Sequence, residues 1–122
     1  MKYFRKTLAI DFGTSKVTTF VENKGVIVNE PSIVTMDTYK NKIISYGETA
    51  KKLLGRVPGN VVAKRPLVAG NIVDFNVTEA IIKRAIKKSI GKNFFRPNVL
   101  VCIASELTQV QKRAITQAVK LA

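Results

Sequence analysis

The sequence contains no histidine, no tryptophan and a single cysteine in 122 residues. Imidazole is the base or ligand in Ser-His-Asp triads, Cys-His nucleophile pairs and histidine metal sites, so those three kinds of site are excluded. The single cysteine, Cys102, cannot form an intrachain disulfide. Because it lies in the apolar run of residues 99–104, we expect a small buried core residue rather than a reactive thiol.

Long apolar segments are also missing from the sequence. No stretch approaches the ~18 apolar residues of a membrane-spanning helix. Residues 1–6 are basic but lead into Asp11 rather than into a hydrophobic segment, which argues against a signal peptide. We therefore expect a cytoplasmic protein.

Acidic residues are scarce, since eight Asp plus Glu stand against 21 Lys plus Arg, for a formal net charge of +13. Such a balance suits phosphate backbones or anionic lipid surfaces. The cations are scattered, and the three Tyr and six Phe do not interleave with them in a nucleic-acid-binding pattern. We therefore expect a solvated basic surface that can face anionic lipid, and nucleic acid is not the expected partner.

The hydrophobic fraction of 46% is enough for a core, and the length matches one domain of about 100–200 residues. Short β-rich runs between turn clusters predict a three-stranded antiparallel meander over the first 30 residues. A further hairpin is predicted from residues 33–36 and 42–46. A short helix over residues 48–54 should close at Gly55, and residues 55–70, which are rich in Pro and Gly, should be mostly loop.

An amphipathic helix is predicted after residue 76. Asn76 and Glu79 form a capping-box pattern at its start, and Gly91 ends it. Its apolar face consists of residues at helical spacing, namely Val77, Ile81, Ile82, Ala85, Ile86 and Ile90.

One more strand and one more helix complete the prediction. Residues 99–104 lack alternation, as expected of a strand buried on both faces. Thr108 and Gln111 form a second capping-box pattern for a final helix. Its expected apolar stripe is Val110, Ala114, Ile115, Ala118 and Val119. This order of elements indicates a mixed α/β layer.

The segment from Asp11 to Lys16 has the strongest chemical signal. Gly13 lets backbone amides approach a phosphate, the hydroxyls of Thr14 and Ser15 can donate, and Lys16 adds positive charge. Asp11 offers oxygen ligands to Mg²⁺ or to a metal-bound water. The same residues also make an acceptable hairpin turn without function, so spacing alone leaves both interpretations open.

The segment Ile10-Asp11-Phe12-Gly13-Thr14 resembles the first phosphate loop of the actin, sugar-kinase and heat-shock-chaperone superfamily. Further stretches, in order along the chain, resemble the bacterial actin MreB family: Asn29-Glu30-Pro31-Ser32, residues 47–56, residues 63–70 and Phe94-Phe95-Arg96-Pro97. The resemblance implies an α/β, ribonuclease-H-like actin fold, here partial. Residues 1–30 and 76–122 would form subdomain IA, and residues 31–75 would be the inserted subdomain IB.

The same resemblance implies ATP and Mg²⁺ as cofactors of the complete protein. The residues matching the nucleotide contacts are Asp11, Gly13, Thr14, Ser15 and Lys16, with Asp11 also toward the metal. Lys16 departs from the Asn more usual in the family; we expect its charge to strengthen the β-phosphate contact, although a plain surface substitution stays open. The resemblance further implies self-association into filaments and partners in the cell-shape or motility machinery.

The rest of the family's nucleotide site comes later than residue 122 in family members: a second phosphate loop, an adenosine-binding segment and the acid that positions the attacking water. We therefore expect the chain alone to bind ATP weakly or not at all and not to hydrolyse it. The leading interpretation is the N-terminal part of an MreB-like actin. The alternative is a standalone non-catalytic module that binds membranes or filaments.

Aromatic residues beside cations resemble the membrane-contacting segments of some family members. Phe94 and Phe95 match a hydrophobic loop by position, and Tyr3 and Phe4 lie among basic residues. Aromatic side chains with flanking cations suit an anionic lipid interface. We expect a protein peripheral at the inner face of the cell membrane, although Phe95 could instead pack under the strand that begins at Val99.

Overall fold

The computed structural model describes residues 7–56, 59–68, 71–91, 97–103 and 108–121, which form nine strands and three helices. In chain order these are β1 (Thr7–Phe12), β2 (Lys16–Val21), β3 (Gly25–Pro31), β4 (Val34–Asp37), β5 (Lys42–Tyr46), α1 (Gly47–Lys52), β6 (Val61–Lys64), β7 (Leu67–Val68), β8 (Asn71–Ile72), α2 (Phe75–Ile90), β9 (Asn98–Cys102) and α3 (Gln109–Leu121). The predicted mixed α/β character is confirmed.

The main sheet has four strands in the order β3-β2-β1-β9. β1 pairs antiparallel with β2 and β2 with β3, which confirms the predicted meander. β9 pairs parallel with β1, and the long connection between the two strands, which includes α2, provides the crossover that a parallel pair requires. Asn23 and Gly25 have φ of 69° and 85°, the left-handed conformation of the predicted turn between β2 and β3.

Helix α2 covers one face of this sheet. Alternate residues of β1 and β2 point to the same face, because side chains in a strand alternate between its two sides. These residues join the predicted apolar stripe of α2 in a single buried cluster, which includes Leu8, Ile10, Phe12, Val17, Val21, Val77, Ile81, Ile82, Ala85 and Ile90. The stripe of α2 is therefore confirmed as core.

A second sheet has the order β5-β4-β6, and β7 pairs with β8 in a two-stranded ribbon. The β4–β5 hairpin was predicted, but the prediction that residues 55–70 are mostly loop is wrong for β6 and β7. β6 is a four-residue edge strand between turn-forming residues, and it is held by antiparallel pairing with β4, in which Val62 lies opposite Met36. The division into residues 1–30 with 76–122 and residues 31–75 stays a prediction.

The two predicted capping boxes have different outcomes. The prediction for Asn76 and Glu79 is wrong, because Asp74 is the cap and its carboxylate accepts from the Val77 amide at 3.0 Å. Lys64 lies 3.5 Å from the same carboxylate and favours it at that position. The box at Thr108 and Gln111 is confirmed by reciprocal hydrogen bonds: the Gln111 amide donates to Thr108 Oγ1 at 3.2 Å and the Thr108 amide donates to Gln111 Oε1 at 3.3 Å.

Strand β9 is covered on one face only, so its predicted burial on both faces is wrong. Its exposed residues alternate with Val99 and Val101, which pack against the core. Cys102 is one of the exposed residues, contrary to the buried thiol expected. The prediction that Val110 belongs to the apolar stripe of α3 is also wrong, because Val110 is exposed. At roughly 100° per residue, Val110 lies about 140° around the helix from the buried Ile115.

Candidate phosphate-binding cleft

The turn between β1 and β2 contains the candidate phosphate loop. The Gly13 amide donates to the Lys16 carbonyl at 2.9 Å, which closes the turn. A Cβ at Gly13 would lie 3.3 Å from that carbonyl oxygen, so glycine allows this close approach without a shift. Thr14 and Ser15, which lie between them, are exposed and available to a ligand.

Main-chain hydrogen bonds attach this turn to the rest of the molecule. The Ser15 carbonyl accepts from the amide of the buried Ser32 at 2.9 Å, just after β3. The next residue, Ile33, accepts from the Gly47 amide at 3.0 Å, where α1 begins. The turn, the corner between β3 and β4, and the start of α1 are therefore connected in series.

A cleft of about 520 Å³ opens beside the turn. Its cations come from three separate segments: Lys16 on β2, Lys51 on α1 and Arg65 after β6. The residues that line it are Thr14, Ser15, Lys16, Asn29, Glu30, Pro31, Glu48, Lys51 and Arg65. Hydroxyl donors beside converging cations favour an anion with several oxygen atoms.

Glu30 is the lining residue with the most defined environment. It pairs with Arg84 and, at 2.6 Å, with Lys88, both on α2. Burial raises the pKa of Glu30, but the hydrogen bonds and charges of Lys88 and Arg84 together outweigh it, so the pKa lies below its ordinary value of 4.5. The carboxylate is thus ionised at neutral pH and is matched by two cations of α2.

The start of α1 contacts the same cluster. The Arg84 guanidinium lies 5.0 Å from the centroid of the Tyr46 ring, a cation–π geometry. Gly47 follows with φ of 61°, and a Cβ there would collide with the Glu30 carboxylate. Glycine is therefore required at this position for both conformation and space.

Three of the five predicted nucleotide-contact residues line the cleft. These are Thr14, Ser15 and Lys16, whereas Asp11 and Gly13 lie in the adjoining strand and turn and are not lining residues. The donors and cations fit the phosphates of a nucleotide.

For a metal ion, the described residues contain no group of three or more Asp, Glu, Cys or His. Asp11 would contribute one carboxylate to Mg²⁺, an ion that usually keeps several waters and substrate oxygens.

Sequence reasoning missed Lys51, Arg65 and the role of Glu30. Lys51, Arg65 and Glu30 each lie within a stretch that resembles the family, and that was their only signal. Glu30 and Arg84 are separated by 54 positions, and only the pairing of β3 with β2 and the packing of α2 bring them together.

The predicted membrane residues Tyr3, Phe4, Phe94 and Phe95 lie outside the described residues. Within the described ranges, none of the helices combines the length and apolarity needed to cross a membrane.

The mixed sheet with the cleft at its first hairpin places the chain among actin-like proteins. The crystal structure of MreB5 of Spiroplasma citri bound to ADP matches it with a TM-score of 0.85 and 28% identity, covering 96% of this chain and 35% of that chain. The crystal structure of the same protein bound to AMPPNP matches with the same TM-score and 27% identity. The predicted partial actin fold is confirmed.

This chain belongs to the MreB/Mbl family of actin-like cytoskeletal proteins, whose family model matches residues 5–122. The cell shape-determining protein Mbl of Bacillus cereus is 43% identical over 116 residues, and the cell shape-determining protein MreB of Escherichia coli is 39% identical over 121 residues. Each match covers 94% of this chain and 35% of the relative. The chain thus spans about a third of the length of these relatives.

Proposed function

We propose that this chain provides phosphate contacts to the nucleotide site of an actin-like protein that self-assembles into filaments for cell shape or motility. The observation that supports this most is the convergence of Lys51 and Arg65 on the cleft beside the predicted loop. Two of the three cations were not part of the loop motif, so their position is independent support. The matched MreB5 structures are those of a protein bound to ADP and to AMPPNP.

The lining residues divide the work of binding a polyphosphate. The hydroxyls of Thr14 and Ser15 donate to phosphate oxygens, and Lys16 supplies charge close to the turn. Arg65 can hold two oxygens at once with its planar guanidinium, whereas Lys51 acts as a point charge. A bound Mg²⁺ would neutralise phosphate charge, with Asp11 as the nearest predicted ligand for the ion or its waters.

We propose that this chain alone binds nucleotide weakly and does not hydrolyse it. Hydrolysis requires an oriented water and stabilisation of the transferred phosphoryl group from several sides. The described residues that line the cleft supply hydroxyl donors and cations for the phosphates. Their two carboxylates are Glu30, which is paired with Arg84 and Lys88, and Glu48. No pair of free acids is therefore present among them to orient an attacking water.

Titration of the ¹⁵N-labelled chain with sodium tripolyphosphate, and separately with MgATP, tests the phosphate site. We expect chemical-shift changes at residues 13–16, Lys51 and Arg65 that saturate in the millimolar range. Lys16→Ala should weaken binding, whereas Lys24→Ala, in the turn between β2 and β3 at the other end of the hairpin, should not. Equal effects of both variants, or shifts spread over all surface lysines, would contradict the proposal.

We also propose a cytoplasmic location at the inner face of the cell membrane. In the described part of the chain, Lys83 and Lys87 of α2 are exposed and add to the excess of basic residues. In the sequence, the aromatic residues Tyr3, Phe4, Phe94 and Phe95 lie beside further cations. Each basic residue near an anionic surface adds about 1 kcal/mol of attraction.

A further inference from the structure

Glu30 lies where β3, α1 and α2 meet, and it also lines the phosphate cleft. Only 15% of its side chain is exposed, and its two oxygens are divided between Arg84 and Lys88. A negative charge on the wall of an anion-binding cleft opposes the ligand unless cations balance it. The balance here comes from α2, outside the residues that line the cleft.

We propose that Arg84 and Lys88 are positioning residues for the phosphate site, although neither of them lines the cleft. They neutralise Glu30 and hold it in place, and so set the affinity of the cleft for a polyphosphate. This inference rests on the proposed function and deepens it. It makes a specific charge arrangement on α2 part of how the cleft recognises its ligand.

The effect of Arg84 and Lys88 on the charge of the cleft follows from the residues that line it. Among the described residues that line the cleft, three are cations, Lys16, Lys51 and Arg65, and two are carboxylates, Glu30 and Glu48. With Glu30 matched by Arg84 and Lys88, one of the two opposing charges is removed from the ligand's surroundings. If Arg84 is lost, Glu30 stays ionised, because Lys88 still favours its charged form, and it repels an incoming phosphate more strongly.

The effect of Arg84 on the position of α1 follows from its contacts near Tyr46 and Gly47. Arg84 packs over the Tyr46 ring while it binds Glu30, and Glu30 fills the space beside Gly47. These contacts fix the beginning of α1, the helix that brings Lys51 to the cleft. Arg84 therefore acts on both the charge of the cleft and the placement of one of its cations.

A double-mutant cycle measured by tripolyphosphate titration of the labelled chain tests the inference. Arg84→Gln should weaken binding about threefold to fivefold, as expected for partly exposed charge pairs. Glu30→Gln should tighten binding, because it removes a carboxylate from the cleft wall and leaves Arg84 and Lys88 without their acidic partner. Glu30→Gln combined with Arg84→Gln should bind more tightly than Arg84→Gln alone. Arg84→Lys should restore most of the affinity.

Lys83→Gln is the matched control, because it makes the same change in net charge on the same helix, one residue before Arg84. It should leave affinity nearly unchanged. Lys88→Gln, at the more exposed partner of Glu30, repeats the test with less disturbance of packing if Arg84→Gln loses its dispersed spectrum.

The outcomes separate the possibilities. If the role of these residues is purely structural, Glu30→Gln should lower the affinity for tripolyphosphate as much as Arg84→Gln does, and the double variant should bind no more tightly. That result would overturn the inference while the proposed function stands. Equal weakening by Lys83→Gln would reduce the effect to net charge and overturn it too. If the unmodified chain shows no response at the cleft, the proposed function itself fails and the inference with it.

Discussion

Phe20 and Leu100 lie on either side of Ala9 in one cross-strand row of the four-stranded sheet, and both are exposed, at 50% and 63%. Val26 extends the row on β3, opposite Phe20, and is 59% exposed. Four neighbouring apolar residues therefore lie across the sheet face that α2 does not cover. A contiguous apolar surface of this kind favours association.

We expect the 122-residue chain to self-associate through this row as its concentration rises. Phe20→Thr with Leu100→Thr should shift the chain toward monomer, because threonine suits a strand but removes most of the apolar area. Size-exclusion chromatography with light scattering measures the change. Ile44→Thr, at an exposed apolar residue on β5, is the control and should have little effect. An unmodified chain that stays monomeric at all concentrations would refute this prediction.

The charge cluster at Glu30 should make stability depend on pH. Because the folded-state pKa of Glu30 is lowered from 4.5, its contribution is fully present above the unfolded pKa and is lost as pH falls through the folded pKa. We expect urea unfolding to show a loss of stability below about pH 4.5 that is smaller in Glu30→Gln. The pKa of Asp37 is also lowered, mainly because its carboxylate accepts a hydrogen bond from the Lys40 amide. Asp37 is present in both proteins, so its contribution cancels in the comparison. Parallel pH profiles would argue against a stabilising cluster.

Gly47 and Gly55 offer a matched pair for the cost of a side chain. Both have positive φ, 61° and 76°, but a Cβ would strike the Glu30 carboxylate only at Gly47, since nothing lies near a Cβ at Gly55. Gly55→Ala should cost about 1 kcal/mol of unfolding free energy for backbone strain alone, and Gly47→Ala about 2–3 kcal/mol. Chemical denaturation measures both values. Equal costs would mean that Glu30 moves aside freely.

The proposed membrane contact is tested by co-sedimentation with vesicles that contain anionic lipid. Phe94→Ser with Phe95→Ser should lower the bound fraction severalfold, because aromatic side chains at the headgroup level contribute apolar burial. Tyr39→Ser is the control, since Tyr39 is an exposed aromatic residue beside a lysine in the β4–β5 turn. Binding unchanged by the Phe substitutions, or lowered equally by Tyr39→Ser, would exclude the anchor.

Local signals in the sequence were sufficient for elements whose stability is decided locally. The turn at Asn23 and Gly25 and the box at Thr108 and Gln111 depend on residues a few positions apart, and the structure confirms both. The helix cap was misplaced by two residues because two acceptors, Asp74 and Asn76, compete there. Lys64, ten positions away, favours Asp74, and no local pattern reports that contact.

Longer-range effects decided the other differences. β6 exists because β4 offers it an edge, and Cys102 is exposed because the helices cover one face of β9. The candidate site divides in the same way. Thr14, Ser15 and Lys16 were identified from a contiguous motif, whereas Lys51, Arg65 and the pairing of Glu30 with Arg84 required the tertiary arrangement of separate segments.

The hydrogen bonds from Ser32 to Ser15 and from Gly47 to Ile33 are made by the main chain alone. Side-chain replacement cannot remove them, and only a proline at position 32 or 47 would delete the donor. The position of the Ser15 turn relative to the corner after β3 and the start of α1 is therefore insensitive to which side chains line the cleft.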